Sequence, residues 1–170
     1  SFINYKTLIN EIKQNNITFV IIGPEQPLAD GFVDLLKDHD IPVFGPTKDQ
    51  ALLETSKEYA KRVMKTQYVQ TANYKYFPMA SHAHDYVNQL ESRTYVIKKN
   101  GLAAGKGVVL PQTREEAHQI IYKFQSDILI EEKLEGEEVS VIAFCNGHQA
   151  FLMPQVQDYK QTYNGMNTGG

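Results

Sequence analysis

The sequence predicts a mixed fold: a partial, doubly wound parallel α/β unit over residues 1–55, followed by an α+β unit with an antiparallel sheet over 56–170. Three observations carry this expectation. In the first third, short apolar runs that end in Gly-Pro alternate with stretches of helical periodicity. From residue 56 onward that alternation stops, and strand-like and helix-like stretches follow one another in no fixed order. Between two of these strands lies a lysine- and glycine-rich stretch, Lys98 to Val108, of the kind that turns one strand back on another.

Tyr5, Leu8, Ile9 and Ile12 recur at i, i+3, i+4 and i+7 and define one face of a helix. Thr18-Phe-Val-Ile-Ile22, stopped by Gly23-Pro24, reads as a strand buried on both faces. Phe32, Leu35 and Leu36 mark a helix, and Ile41-Pro-Val-Phe44, stopped by Gly45-Pro46, marks a second strand. Strand, helix, strand implies a right-handed βαβ crossover, with one more strand expected before residue 1. Thr47 and Gln50 have capping-box spacing, and a second helix covers Ser56 to Thr66. Tyr74 to Phe77 is strand-like, and Ala83, Tyr86, Val87 and Leu90 form a helix face. Thr94 to Lys98 and Val108 to Leu110 are strands flanking the glycine-rich loop. Thr113 and Glu116 cap a helix that turns Ala117, Ile120, Ile121 and Phe124 inward. Strands follow at Ile128–Glu132 and Val139–Phe144, and the tail from Gln161 to Gly170 is polar and glycine-rich.

Bulk properties narrow the function. Of 170 residues, 42% are hydrophobic and 22% charged, which suits a folded core rather than a disordered chain. A net charge of -3 favours neither nucleic acid nor an anionic membrane, and no apolar run approaches the roughly 18 residues of a membrane span. The single cysteine, Cys145, excludes an intrachain disulfide and is expected to be a small core residue. A soluble, cytoplasmic protein is expected, and the sequence does not choose between monomer and dimer.

The stretch Lys98-Lys-Asn-Gly-Leu-Ala-Ala-Gly-Lys-Gly-Val108 is the most informative. Small residues let backbone N–H groups approach an anion, and lysines on both sides converge on it, which is how a di- or triphosphate is cradled. It is not a Walker loop, because Gly101 and Gly105 enclose three residues and Lys106 is followed by glycine. A hairpin that merely needs glycine explains three glycines flanked by lysines less well. Lys98 ends the apolar run Tyr95-Val-Ile97, so its stem is expected to be sheltered while its head reaches the loop. Taken alone, Lys61 reads as a solvated charge. The glutamates of Leu129–Val141 form either a solvated acidic turn or a strand end that offers backbone groups to a base and a carboxylate to a ribose. His82 and His84 lack metal spacing, and surface roles are expected for them and for His39, His118 and His148. By themselves, Gln157–Lys160 and Asn167–Gly170 read as polar loop.

Together these stretches resemble the ATP-grasp superfamily, and within it the phosphoribosylamine–glycine ligase (glycinamide ribonucleotide synthetase) family. The resemblance rests on Ile22-Gly-Pro-Glu-Gln-Pro-Leu28, Phe44-Gly-Pro-Thr47, Ser56-Lys57, Val96-Ile-Lys98 with Gly101-Leu-Ala-Ala-Gly-Lys-Gly107, Ile130-Glu-Glu132 with Gly136-Glu-Glu138, Gln157-Asp158 with Lys160, and Asn167-Thr-Gly-Gly170. They fall in family order across nearly the whole chain.

The resemblance implies an ATP-dependent ligase that joins glycine to 5-phosphoribosylamine through glycyl phosphate, in purine biosynthesis, with Mg²⁺ or Mn²⁺. It implies that Lys61 and Lys98 reach the ATP phosphates and that Gly105, Lys106 and Gly107 close over them, with Lys98 and Lys106 acting in catalysis. Glu132, Lys133 and Leu134 match the adenine hinge, and Glu138 matches the ribose acid. Asp158, Lys160, Asn167, Thr168, Gly169 and Gly170 match the acceptor side, and Gly23, Pro24 and Glu25 a substrate-side loop. Residues 56–170 then form a partial ATP-grasp domain, with 75–135 as its lid-like nucleotide-binding part. Asn100 stands where the family often has aspartate, and the linkers before Asp127 and Asn167 are short for the family. The family's opening glycine-rich strand and its metal-binding acid and asparagine have no counterpart in the chain. No metal ligand is therefore assigned, and a molecule ending at Gly170 is not expected to turn over. The rival readings are another ATP-grasp ligase or carboxylase, and a non-catalytic nucleotide-binding fragment.

Overall fold

The computed structural model describes residues 4–90, 95–103 and 105–157. Helix α1 (Tyr5–Gln14) starts on Asn4, whose side chain accepts from the Thr7 N–H. Strand β1 (Val20–Ile21) follows, then α2 (Glu25–Asp30) and α3 (Phe32–Asp38), separated by Gly31 at φ +87°. Strand β2 (Val43–Phe44) pairs parallel with β1, as the βαβ reading expects. Ile9, Ile12, Phe32, Leu36 and Ile41 form the core of this unit.

Two expectations change here. The first strand is not buried on both faces: Phe19 is 54% and Ile21 70% exposed. An apolar run signals strand but cannot say which faces are covered, and β1 has β2 alone as its described neighbour. The segment after Gly23-Pro24 is not only loop, because α2 begins at Glu25. Pro27 is tolerated there since the N–H groups of a first helical turn lack intrahelical partners.

Helix α4 (Lys48–Thr55) opens with the expected capping box, Thr47 with Gln50. Ser56 ends α4 and caps α5 (Lys57–Thr66) through the Tyr59 N–H. Next come β3 (Tyr74–Met79), α6 (Ala80–Gln89), β4 (Tyr95–Lys99), β5 (Val108–Val109), α7 (Arg114–Phe124) and β6 (Ser126–Glu132). The four strands of this group make one antiparallel sheet in the order β3-β6-β4-β5. Ile97, Ile128 and Ile130 turn to one face and pack on Ala83 and Val87 of α6 and Ala117 and Ile121 of α7. By strand alternation, Val96, Lys98, Leu129 and Glu131 belong to the other face.

The stretch 139–145 is two short strands, not one. β7 (Val139–Ser140) pairs with β10 (Val156–Gln157), and β8 (Ala143–Cys145) pairs with β9 (Ala150–Leu152). The break at Val141–Ile142 is set by these separate partners, which the apolar run itself does not reveal. Cys145 is exposed rather than in the core, because it ends a two-stranded hairpin with no described layer over it. His84 and His118 are also not free surface groups. They are partly buried between α6 and α7, with Nδ1 atoms 2.7 Å apart.

Candidate functional site

The uncovered face of the large sheet, the glycine-rich loop and helix α5 enclose a cavity of about 890 Å³. Its polar centre is Glu131, a carboxylate 6% exposed. Lys98, diagonal to it across the β4–β6 pair, and Lys61, from the second turn of α5, both form ion pairs with this one side chain. Lys61 Nζ stands 2.6 Å from Glu131 Oε2, a close contact of opposite charges. Its hydrogens go to Thr71 Oγ1 at 2.7 Å and the Ala72 carbonyl at 3.2 Å, and it lies 5.4 Å from the centre of the Tyr74 ring. Lys61 is therefore buried, at 8% exposure, and not the solvated charge its isolation in the sequence implies.

A third lysine enters the same space. Lys57, the first residue of α5, lines the cavity and donates to the Gly101 carbonyl at 2.8 Å. Burial, and then the nearby Lys98 charge, lower its pKa, against an opposing effect of Glu54. Lys99, by strand alternation, goes the other way. It donates to the Phe124 and Ser126 carbonyls at 2.8 and 2.6 Å and ties down the end of α7.

The loop needs its glycines for two distinct reasons. Gly101 and Gly105 have φ of +84° and +74°, where a side chain is strained. Gly107 has no such φ, but a Cβ there would stand 2.5 Å from the Ala103 Cβ. Gly105 and Gly107 line the cavity, whereas the Lys106 side chain is exposed and does not.

At the far end of β6, Leu134 lines the cavity, while Glu132, Lys133 and Glu138 do not. Glu132 faces Asn73: its carboxylate accepts from the Asn73 backbone N–H at 3.0 Å and Nδ2 at 3.1 Å, and its own N–H donates to the Asn73 carbonyl. The backbone bond, then the side-chain bond, hold its pKa low. Glu138 is exposed and has a protein partner. Glu25 reaches the cavity at the start of α2, and Gly23 and Pro24 lie just before it. Asp158, Lys160 and Asn167 to Gly170 lie outside the described residues.

The structure thus gathers Lys61, Lys98, Gly105, Gly107, Leu134 and Glu25 around one cavity. It adds Lys57 and Glu131, to which the sequence alone assigns no role. Glu131 is legible in principle, because Ile128 and Ile130 face the helices and residue 131 must then face away from them. Among the described residues, no group of three His, Cys, Asp or Glu side chains is placed to hold a metal ion, and no helix is long and apolar enough to cross a membrane. The lysines and the glycine loop suit a polyphosphate, since cations and backbone N–H groups are the donors such a group requires.

Comparison with known proteins agrees with this chemistry. The family model of the phosphoribosylglycinamide synthetase ATP-grasp (A) domain matches residues 55–170, and that of the N domain of the same synthetase matches residues 2–54. The phosphoribosylamine–glycine ligase of Neisseria meningitidis serogroup B is 41% identical over 98% of this chain and 42% of that protein. The bifunctional purine biosynthetic protein purD of Dictyostelium discoideum is 38% identical over 100% of this chain and 22% of that protein. A crystal structure of the phosphoribosylamine–glycine ligase of Thermotoga maritima superposes with a TM-score of 0.73 at 29% identity, over 100% of this chain and 44% of that one. A biotin carboxylase of Campylobacter jejuni, 14% identical, shares the fold with a TM-score of 0.80 over 94% of this chain and 39% of that one. The chain spans about 42% of the length of the first of these relatives.

Proposed function

Since the chain belongs to the phosphoribosylglycinamide synthetase family, we propose that it supplies the nucleotide grip of an ATP-dependent ligase joining glycine to 5-phosphoribosylamine. The products are glycinamide ribonucleotide, ADP and phosphate, and the parent protein acts in the cytoplasm in purine biosynthesis. The observation that carries the proposal is the convergence of Lys61 and Lys98 on Glu131 beneath the glycine-rich loop.

In this reading residues 1–55 are the substrate-side unit and 56–170 the ATP-grasp part, with 75–135 as its lid. Support for that division comes from the family-model boundary between 54 and 55. ATP lies in the cavity with its phosphates toward Lys61 and Lys98, under the N–H groups of Gly105 and Gly107. Lys106 swings in from its exposed position as the loop meets the phosphates. Adenine sits at the Glu132–Leu134 end. The Glu132 N–H is engaged by Asn73, so Leu134 is assigned as the backbone donor there. Glu138 is assigned to the ribose. Gly23, Pro24 and Glu25 are assigned to the substrate side, and by family resemblance alone so are Asp158, Lys160, Asn167, Thr168, Gly169 and Gly170.

The chemistry asks for little more than alignment and charge neutralisation. A glycine carboxylate oxygen attacks the γ-phosphorus and ADP departs, leaving glycyl phosphate. The amine of 5-phosphoribosylamine then attacks the acyl carbon and expels phosphate. The first step brings two anions together, so lysine ammonium groups and backbone donors fixed before reaction lower its barrier. Mg²⁺ or Mn²⁺ supplies further neutralisation when bound with the nucleotide, and its protein ligands are not assigned to the described residues.

Calorimetric titration of the chain with ATP tests the grip, with saturable binding expected. No binding would overturn the site. Glycine-dependent ADP release by the full-length protein tests the ligation, and release driven by bicarbonate instead of glycine would favour a carboxylase.

A further inference from the structure

We infer that Lys57 and Asn100 form a latch that holds the glycine-rich loop on helix α5, so that both are positioning residues for the phosphate-binding loop. The two contacts run between the same segments. Lys57 Nζ donates to the Gly101 carbonyl at 2.8 Å, and Asn100 Oδ1 accepts from the Glu58 N–H at 3.1 Å. Ser56 Oγ lies 3.5 Å from that Asn100 oxygen, at the limit of a hydrogen bond.

The consequence for α5 is unusual. The first N–H groups of a helix have no partner within it. Here Ser56 satisfies Tyr59 from within the helix's own cap, and Asn100 satisfies Glu58 from a loop 42 residues away. The Asn100 N–H is itself held by the Asp127 carbonyl at 2.7 Å, so the root of the loop is fixed on both sides. A Cβ on Gly101 would stand 3.8 Å from the Thr55 carbonyl, which places the loop in van der Waals reach of the α4–α5 elbow.

Lys57 and Lys61 are one turn apart on α5 and line the same cavity, so one helix carries both the latch and a lysine at the cavity's centre. The side chains that act electrostatically on Lys57 from the neighbouring elements are Lys98 on β4, which repels it, and Glu54 on α4, which attracts it.

The inference rests on the nucleotide reading of the cavity, but its first test does not. Amide hydrogen exchange is followed by NMR without nucleotide in the wild-type chain, Lys57→Met, Lys57→Arg and Asn100→Leu. Exchange at the amides of residue 100 and Lys106, which are bonded to the Asp127 and Ala103 carbonyls, is expected to quicken at least tenfold in Lys57→Met and Asn100→Leu, with wild-type rates in the core strand β6. Arginine retains a donor for the Gly101 carbonyl, so Lys57→Arg is expected to recover most of the protection. Wild-type loop exchange in Lys57→Met overturns the latch. If that variant does not fold, wild-type loop exchange in Asn100→Leu overturns it independently. ATP titration of the same proteins is the second test, with affinity expected to fall about tenfold in Lys57→Met and to recover in Lys57→Arg. Equal ATP affinity in wild type and Lys57→Met, despite a loosened loop, overturns the positioning role. A wild-type chain that binds no ATP while its variants still loosen the loop removes the nucleotide reading and leaves the latch standing.

Discussion

Glu131→Gln keeps the shape of the central carboxylate and removes its charge. Lys61 and Lys98, with side chains 10% and 26% exposed, then face one another without a counter-ion. Removing one partner from a buried ion pair costs on the order of 3–5 kcal/mol, because the remaining charge is stranded. Lys98 keeps some contact with water, so the lower end of that range, about 3 kcal/mol, is the expected loss without nucleotide. If ATP phosphates take the position the carboxylate neutralises, they restore part of this. A recovery of about 1.4 kcal/mol corresponds to roughly tenfold tighter ATP binding by the variant. Urea unfolding of both proteins, with and without saturating ATP, measures the two quantities in one cycle. The stability gap should narrow when ATP is present. A gap of the same size under both conditions would mean that the lysines do not meet phosphate and that Glu131 is a fixed structural counter-ion. A loss far below about 1 kcal/mol would contradict the burial of the triad itself.

Four further outcomes are expected. Lys98→Ala should weaken ATP binding at least tenfold while leaving the fold intact, as read by calorimetry and circular dichroism, since a sheltered cation facing phosphate is lost. Gly107→Ala should also lower ATP affinity, because its Cβ would meet the Ala103 Cβ at 2.5 Å and force the loop open; unchanged affinity would argue that this loop geometry is not the binding one. Tyr76 donates to Asp127 Oδ1 at 2.6 Å, which with burial lifts the phenol to about 12 and, as the leading cause, holds the Asp127 carboxyl low. Stability from Asp127 is then present above the ordinary carboxylate range and lost as pH falls through its lowered pKa, and Tyr76→Phe should shrink that acid loss and cost about 1 kcal/mol at neutral pH. For His84, burial and then His118 lower the pKa, so stability should be full above about 6.5 and decline as pH falls below it. Thermal melts of His84→Asn from about pH 5 to pH 8 should lose that dependence.

Local signals are the most legible. The Thr47–Gln50 capping box, the Ser56 start of α5 and the parallel β1–β2 pair each depend on neighbours a few residues away or on chain direction, and all three are present. The glycine-rich loop is legible because few other tasks need glycines and lysines at that density. What escapes depends on distant partners. Lys61 is isolated in the sequence and becomes central only when β6 brings Glu131 to it. Lys98 is marked in the sequence by its place at the end of the apolar run Tyr95–Ile97, but the course of Lys99 to the end of α7 emerges only with alternation along β4 and the carbonyls that receive it. Glu131 and Glu132 are similarly divided, one toward two lysines and the other toward Asn73. The apolar run 139–144 looks continuous because β-branching reports extended backbone and says nothing of which strand will pair with it.

The segment between α5 and β3 has a mechanical consequence. Lys61 grips Thr71 and Ala72 from one side, while Glu132 clasps Asn73 from the other through backbone and carboxylate together. Each such bond is worth about 1 kcal/mol, and they would have to yield in concert for the chain to flex there. A connector stitched this way is a clamp rather than a joint. With the Lys57–Gly101 and Glu58–Asn100 bonds at the loop end of β4, it pins the large sheet to α5 at two separate points, so tilting the sheet against the helix requires bonds at one of them to break.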